Sequence, residues 1–196
     1  MINSEYKIVL AIVAAIVGLF GYIPYIRDIY RGKTKPHIFS WFIWGTLEGI
    51  AFIAQLAKGG GAGAWVTGLA AFITFSIALS CLHQKDRDIK LFDWLALGGA
   101  LIGIVLWVST KNPLHAVICV CVSDGLGFVP TFRKAYFKPN EETLIEYSMS
   151  AVKWLIAIFA LKSINLTTVL YPASLILSNT IFVSMVMVRR NKIFKI

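Results

Sequence analysis

Seven long apolar stretches, separated by short polar segments, follow one another along the chain. Each stretch covers 19 to 21 residues, and they lie at 6–26, 36–56, 62–82, 91–109, 113–132, 143–161 and 168–188. A helix rises 1.5 Å per residue, so about 20 apolar residues cross the roughly 30 Å hydrocarbon core of a bilayer. The pattern therefore predicts an all-α integral membrane protein whose seven transmembrane helices contact the lipid bilayer.

The composition agrees with this prediction. Hydrophobic residues make up 58% of the chain and charged residues 15%, and the mean hydropathy is +0.73, whereas soluble domains carry about 25% charged residues. The net charge of +9 does not indicate a nucleic-acid partner, because the basic residues lie in short groups between the apolar stretches. Cys81, Cys119 and Cys121 lack the spacing of a disulfide framework or a zinc site.

The distribution of Lys and Arg predicts an orientation in the membrane. The connections after the first, third and fifth stretches, together with the C-terminal tail, carry 14 of the 19 cations, and the alternate side carries 4. Since cytoplasmic segments are enriched in Lys and Arg, we expect the N-terminus outside and the C-terminus in the cytoplasm. The expected location is the inner or plasma membrane of the cell.

An internal repeat divides the chain. The pattern Gly-x-x-Pro-x-x-Arg-x-x-Tyr occurs at residues 21–30 and again at 127–136, a shift of 106. We therefore predict a first three-helix repeat at 1–83, a linker helix at 84–110, and a second three-helix repeat with a basic tail at 111–196. A single linker helix keeps both units in the same orientation, so the predicted arrangement is a parallel 3+1+3 repeat.

Two segments within these repeats resemble a known family. Residues 127–133 read Gly-Phe-Val-Pro-Thr-Phe-Arg, and residues 33–40 read Lys-Thr-Lys-Pro-His-Ile-Phe-Ser. The first is similar to the Pro-Thr-Phe segment of SWEET proteins, and the second to the basic segment that enters their second helix. With the 3+1+3 arrangement, the chain resembles the SWEET and PQ-loop superfamily of seven-helix small-solute transporters. The resemblance implies alternating access around a site at the membrane midplane.

Other positions differ from that family. SWEET proteins carry a proline in the second helix of each repeat, where this chain has Phe42 and Ser148. Their sugar-binding asparagine follows a proline in the last helix, whereas Pro172 is followed here by Ala173. A neutral sugar is therefore not the favoured substrate.

Three ionisable residues lie near the middle of predicted spans: Glu48, Asp124 and Lys153. Such residues cost about 2.5–3.5 kcal/mol each on insertion scales and usually belong to a pathway or an ion pair. Glu48 and Lys153 lie at similar depths, and they either pair structurally or face a wet cavity that binds a charged substrate or a proton. Asp124 either binds a proton or a substrate amine, or bonds to a neighbouring helix. Glu146 is expected to be solvated or paired with an arginine.

Aromatic residues form a second group of candidates. Trp44 and Glu48 are four residues apart and share a helix face, and Tyr147 lies on a similar stripe in the sixth stretch. Facing rings bind a sugar, a heterocycle or a cation. The family resemblance implies a pocket lined by residues of the second, third, sixth and seventh helices, whose nearest counterparts here are Trp44, Thr74, Trp154 and Asn179. The alternative is that Trp44 belongs to an aromatic belt at the membrane surface.

Two prolines complete the predicted machinery. Pro24 and Pro130 interrupt the backbone hydrogen bonds of their helices and are expected to act as hinges. The sequence thus predicts a transporter of a small polar metabolite, favouring an amine-bearing, zwitterionic or charged one, with proton coupling left open. The alternative is a ligand-binding receptor or scaffold of the same fold.

An enzyme is not expected, because no Ser/His/Asp, metal-ligand or paired-carboxylate arrangement can be assembled from the sequence. The same reasoning predicts neither a metal nor another cofactor. The oligomeric state stays open, since one chain already contains both repeats.

Overall fold

The computed structural model describes residues 2–34, 36, 38–80 and 91–193. This part of the chain forms seven α-helices and one short 3₁₀ turn at Pro139–Glu141, and it contains no strand. The helices are α1 (Ile2–Tyr30), α2 (Ile38–Ala57), α3 (Ala62–Ser80), α4 (Leu91–Thr110), α5 (Pro113–Phe137), α6 (Leu144–Ala160) and α7 (Leu166–Ile193). Each coincides with one predicted apolar stretch. Cys81 and the predicted boundary at residues 83 and 84 lie outside the described residues.

Three helices continue past the apolar stretches that predicted them. Helix α1 runs to Tyr30, α5 to Phe137 and α7 to Ile193. Their added turns contain basic residues such as Arg27 and Lys134, and positive charge is favourable at a helix C-terminus. Hydropathy therefore predicts the apolar part of each of these helices, and the helix itself continues beyond that part towards its C-terminus.

Four helices in the described part of the chain, α1, α3, α5 and α7, are long and apolar enough to cross a membrane. The outer face of α1 also exposes large apolar side chains one turn apart, namely Ile8, Ile12, Ile16 and Phe20. Such a contiguous apolar surface is unfavourable in water and suits contact with lipid. These features indicate a membrane protein.

The first half of the chain, α1–α3, and the second half, α5–α7, pack by the same scheme. Helix α3 contacts both α1 and α2, and α7 contacts both α5 and α6. Between the halves, α1 packs on α6 and α2 packs on α5. Helix α4 lies against α5 and α2. Exchanging the two halves therefore leaves the same pairs of helices in contact.

Glycines at corresponding positions permit these close crossings between the halves. A Cβ placed on Gly21 of α1 would lie 3.0 Å from the Cβ of Met149, and one on Gly127 of α5 would lie 4.0 Å from Cγ2 of Ile43. Gly21 and Gly127 are 106 residues apart, as are Ile43 and Met149. The crossings of α1 on α6 and of α5 on α2 thus use corresponding residues.

Candidate functional site

A small cavity lies at the centre of the helix bundle. Its volume is about 40 Å³, which leaves room for a few water molecules. Among the described residues, every helix except α4 contributes to its wall. The lining residues are Tyr22, Trp41, Trp44, Glu48, Thr74, Asp124, Phe128, Glu146, Tyr147, Ser150, Trp154, Tyr171, Leu175 and Asn179. The space is narrow in this structure.

The structure brings together most of the site residues predicted from the sequence. Seven of the eight line the cavity: Trp44, Glu48, Thr74, Asp124, Tyr147, Trp154 and Asn179. The eighth, Lys153, is buried behind the wall, where its ammonium donates to the hydroxyl of the lining residue Tyr22 at 3.0 Å. Both tryptophans are buried, so the aromatic-belt alternative for Trp44 is wrong.

Seven further lining residues were not among the predicted site residues, yet the repeat points to two of them. Four pairs of lining residues are separated by 106 positions: Tyr22 with Phe128, Trp41 with Tyr147, Trp44 with Ser150, and Glu48 with Trp154. Thr74 of α3 and Asn179 of α7 correspond at a shift of 105. The cavity is thus lined by corresponding residues of the two halves. Applying the shift to each predicted residue finds Trp41 and Ser150.

Among the described residues, three buried acidic residues line the cavity and one buried lysine lies behind its wall. Glu48, Asp124 and Glu146 are each less than 10% exposed and line the wall, and Lys153 is 2% exposed. The expectation that Glu146 is solvated or paired with an arginine is wrong. A Cβ on Gly21 would lie 3.1 Å from the Cα of Glu146, so α1 packs directly over this residue and shields it from the outside of the bundle.

Several polar atoms that face the cavity lack a protein partner. Within the described residues, no hydrogen bond reaches the indole nitrogen of Trp44, Oε2 of Glu48, either carboxylate oxygen of Asp124, or the hydroxyl of Tyr171. A buried polar group without a partner costs about 1–3 kcal/mol, and more when it is charged. These atoms are therefore available to water or to a bound solute.

Lys153 contacts aromatic rings rather than a carboxylate. Its ammonium lies 4.3 Å from the ring centroid of Trp154 and 4.9 Å from that of Tyr22. The described residues contain no direct ion pair between Lys153 and Glu48, although the ammonium attracts both Glu48 and Glu146 through space. A direct salt bridge between Glu48 and Lys153, one of the two alternatives predicted from the sequence, is therefore absent from the described residues.

The halves are joined at the end of the bundle where α1 ends and α6 begins. We define the cross-half triad as Asp28, Thr34 and Thr143. The hydroxyl of Thr143, the N-cap residue of α6, donates to Oδ2 of Asp28 at 3.0 Å and lies within hydrogen-bond distance of the Thr34 hydroxyl. Because Asp28 and Thr34 belong to the first half, the triad ties the two halves together.

A second set of bonds at this end includes a buried carboxylate. Glu142 accepts a hydrogen bond from the ammonium of Lys134 at 2.7 Å and one from the hydroxyl of Tyr147 at 3.4 Å. Burial raises the pKa of the Glu142 carboxyl, and the Lys134 ammonium opposes that rise. Tyr147 lines the cavity, and its ring centroid lies 6.4 Å from that of Tyr25. Aromatic contacts thus connect the cavity to this end.

The opposite end is held by a buried amide. The side chain of Gln55, which is 0% exposed, donates to the backbone carbonyl of Thr168 at 3.2 Å and accepts from the hydroxyl of Thr67 at 2.8 Å. The backbone of Lys162 also donates to the carbonyl of Gly60 at 3.0 Å. Both contacts cross between the halves, so the cavity is bracketed by bonds at both ends.

Both predicted hinges lie inside helices, Pro24 within α1 and Pro130 within α5. A proline inside a helix cannot donate the backbone hydrogen bond to the preceding turn. Tyr22 and Phe128, two residues before the respective prolines, line the cavity. The backbone interruptions therefore lie next to the cavity in both halves.

The described residues offer no metal site, since no group of three or more His, Cys, Asp or Glu side chains is placed to hold an ion. The resemblance to the SWEET and PQ-loop superfamily stays a prediction. The comparisons neither support nor contradict it: no protein-family model matches the chain, and no curated protein and no solved structure matches it either.

Proposed function

We propose that the protein is a membrane transporter that moves a small polar solute by alternating access between two three-helix halves. The observation that carries this proposal is the cavity, which is central, narrow, and lined by corresponding residues of both halves. A site at the interface of two repeats is reached from either side when the repeats tilt against each other. Unpartnered polar atoms in its wall supply the binding groups.

The proposed topology follows the repeat. All seven helices would span the membrane, with α4 as the linker of a 3+1+3 arrangement, the N-terminus outside and the C-terminus in the cytoplasm. The corresponding contacts of α1 on α6 and of α5 on α2 support it. So does the position of α4, which packs against α5 and α2.

A ligand-binding receptor or scaffold without transport is the alternative. It requires a cavity that binds but does not open to both sides. Hydrogen bonds bracket the cavity at both ends, and each end would have to open in turn for transport. Flux across a membrane therefore separates the two functions.

The test is exchange in vesicles that contain the purified full chain. Vesicles loaded with a mixture of unlabelled glucose, glycine, methylammonium and lactate are given each compound in labelled form. We expect saturable uptake of at least one compound, and loss of that uptake in Ser150→Trp, because an indole would fill the cavity at the position corresponding to Trp44.

The matched control is Ser76→Trp, which places the same side chain on the exposed face of α3 and should leave uptake intact. Absence of uptake of all four compounds by a folded, monodisperse protein would contradict transport of these solute classes and favour the receptor.

A further inference from the structure

Two carboxylates face the same cavity without a cation between them. Asp124 is 1% exposed and Glu48 is 6% exposed, and both line the wall. Both oxygens of Asp124 and one oxygen of Glu48 have no hydrogen-bond partner among the described residues. Two carboxylates that line one cavity of about 40 Å³ repel each other when both are ionised. A positive charge placed between them would satisfy the unpartnered oxygens and relieve that repulsion.

The protein's own cation does not fill this role. Lys153 donates to Tyr22 and lies outside the cavity wall, and its charge is shared between Glu48 and Glu146. Three carboxylates therefore line the cavity beside one ammonium, and both oxygens of Asp124 lack a hydrogen-bond partner among the described residues.

The walls beside these carboxylates are aromatic. Trp44 and Phe128 pack with ring centroids 4.9 Å apart, and Tyr171 and Trp154 lie 6.1 Å apart; all four line the cavity. Aromatic faces attract organic cations, most strongly when water is excluded. Lys153 demonstrates this preference within the site, because its ammonium lies 4.3 Å from the ring centroid of Trp154.

We infer that the cavity binds a small organic cation, a protonated amine or a quaternary ammonium, between Asp124 and Glu48 and against the surrounding rings. This inference rests on the proposed function, since it names the substrate class of the same site. An inorganic cation fits less well, because much of the wall is aromatic carbon. A zwitterion is disfavoured, because its carboxylate would meet the acidic residues while Lys153 lies behind Tyr22.

The test is a binding titration of the full chain in detergent, read by tryptophan fluorescence because Trp41, Trp44 and Trp154 line the cavity. The titrants are methylammonium, tetramethylammonium, sodium, glycine and the neutral tert-butanol, at constant ionic strength. We expect a saturable change with at least one of the two organic cations. Sodium, glycine and tert-butanol should give none at equal concentration.

Variants assign the binding to the carboxylates. Asp124→Asn should weaken binding at least about tenfold, as expected when a charged hydrogen-bond partner is lost. The matched control Glu5→Gln removes an exposed carboxylate of α1 and should leave binding unchanged. Glu48→Gln provides the same test if Asp124→Asn does not fold. Equal binding of sodium or tert-butanol, or full affinity in both folded variants, would overturn the inference.

The titration tests the substrate class and the vesicle assay tests transport, so a negative result in one does not decide the other. Cation binding without any flux would overturn the proposed transport and leave the substrate class standing. Flux of a neutral or zwitterionic solute without cation binding would overturn the substrate class and leave transport standing.

Discussion

The first half of the chain, α1–α3, and the second half, α5–α7, place corresponding residues around one cavity, but these residues differ in chemistry. Glu48 of the first half corresponds to Trp154 of the second, and Tyr22 corresponds to Phe128. Outside the wall, the buried Leu47 corresponds to Lys153. The backbone scheme is repeated while the charge is not.

This difference shows how two halves with the same helix packing form a site whose charged groups are arranged asymmetrically. A Cβ on Gly18 of α1 would lie 2.8 Å from Cδ of Lys153, so the first half supplies the space that the lysine stem occupies. The residue corresponding to Gly18 is Asp124. The first half thus makes room for the cation of the second, and the second half adds a carboxylate where the first has only hydrogen. Substituting a residue by its counterpart tests each difference.

The largest effect is expected from Lys153→Leu, which introduces the counterpart of Leu47. The variant should lose about 3–5 kcal/mol of unfolding free energy, because Glu48 and Glu146 lose the charge that stabilises them. Denaturant unfolding in detergent measures the loss. Adding Glu146→Gln should recover part of it, since one uncompensated carboxylate is removed. Unchanged stability in the single variant would show that the ammonium is not their counter-charge.

Gln55→Leu comes next, since the counterpart of Gln55 is Leu161. The substitution leaves the Thr67 hydroxyl and the Thr168 carbonyl without their bonds to Gln55, so we expect a loss of about 2–3 kcal/mol. Thermal unfolding of the purified protein gives the comparison. Gln55→Leu combined with Thr67→Val should be no less stable than the single variant, because the orphaned hydroxyl is removed. Additive losses would contradict this account.

A smaller loss of unfolding free energy is expected from Tyr22→Phe, which introduces the residue type of its counterpart Phe128. The ring contact with Lys153 remains, but the hydroxyl that accepts from its ammonium is lost. We expect about 1.5 kcal/mol from this hydrogen bond to a charged group. The same hydroxyl deletion at Tyr136, a 45% exposed residue of α5, should change stability little. Equal effects at both sites would argue against a specific role for the hydroxyl of Tyr22.

The smallest effect is the difference in stability between alanine variants at the two helix crossings, α1 on α6 and α5 on α2. Gly21→Ala places a Cβ 3.1 Å from the backbone of Glu146, whereas Gly127→Ala meets the side-chain nitrogen of Trp44 at 3.2 Å. The backbone shifts less easily than a side chain. The Gly21→Ala variant should therefore be less stable than the Gly127→Ala variant by about 1 kcal/mol of unfolding free energy. Melting temperatures measured side by side decide this. A larger loss at Gly127 would reverse the ranking of the crossings.

The sequence was sufficient to predict all seven helices, because each apolar stretch marks one. It also named seven cavity residues: five are ionisable or aromatic residues inside apolar stretches, which are conspicuous, and Thr74 and Asn179 came from the family resemblance. It did not reveal that Glu146 is buried, because the glycine that lets α1 cover it, Gly21, lies 125 residues earlier. Tyr171 and Leu175 were missed because the repeat gives no signal for them: at the shift of 105 their counterparts are Val66 and Ala70, which are not among the lining residues.

The central claim is that the two halves move against each other to carry a solute, and a reversible lock between them tests it most directly. Thr34→Cys with Thr143→Cys would place two thiols where the hydroxyls now lie within hydrogen-bond distance, which suits a disulfide. The native cysteines at 81, 119 and 121 are replaced by alanine, and each single cysteine variant is the control.

In vesicles, we predict that oxidation of the double variant abolishes uptake and that dithiothreitol restores it, while neither single variant responds. Full uptake by the oxidised double variant, with the disulfide verified by mass spectrometry, would contradict alternating access between the halves.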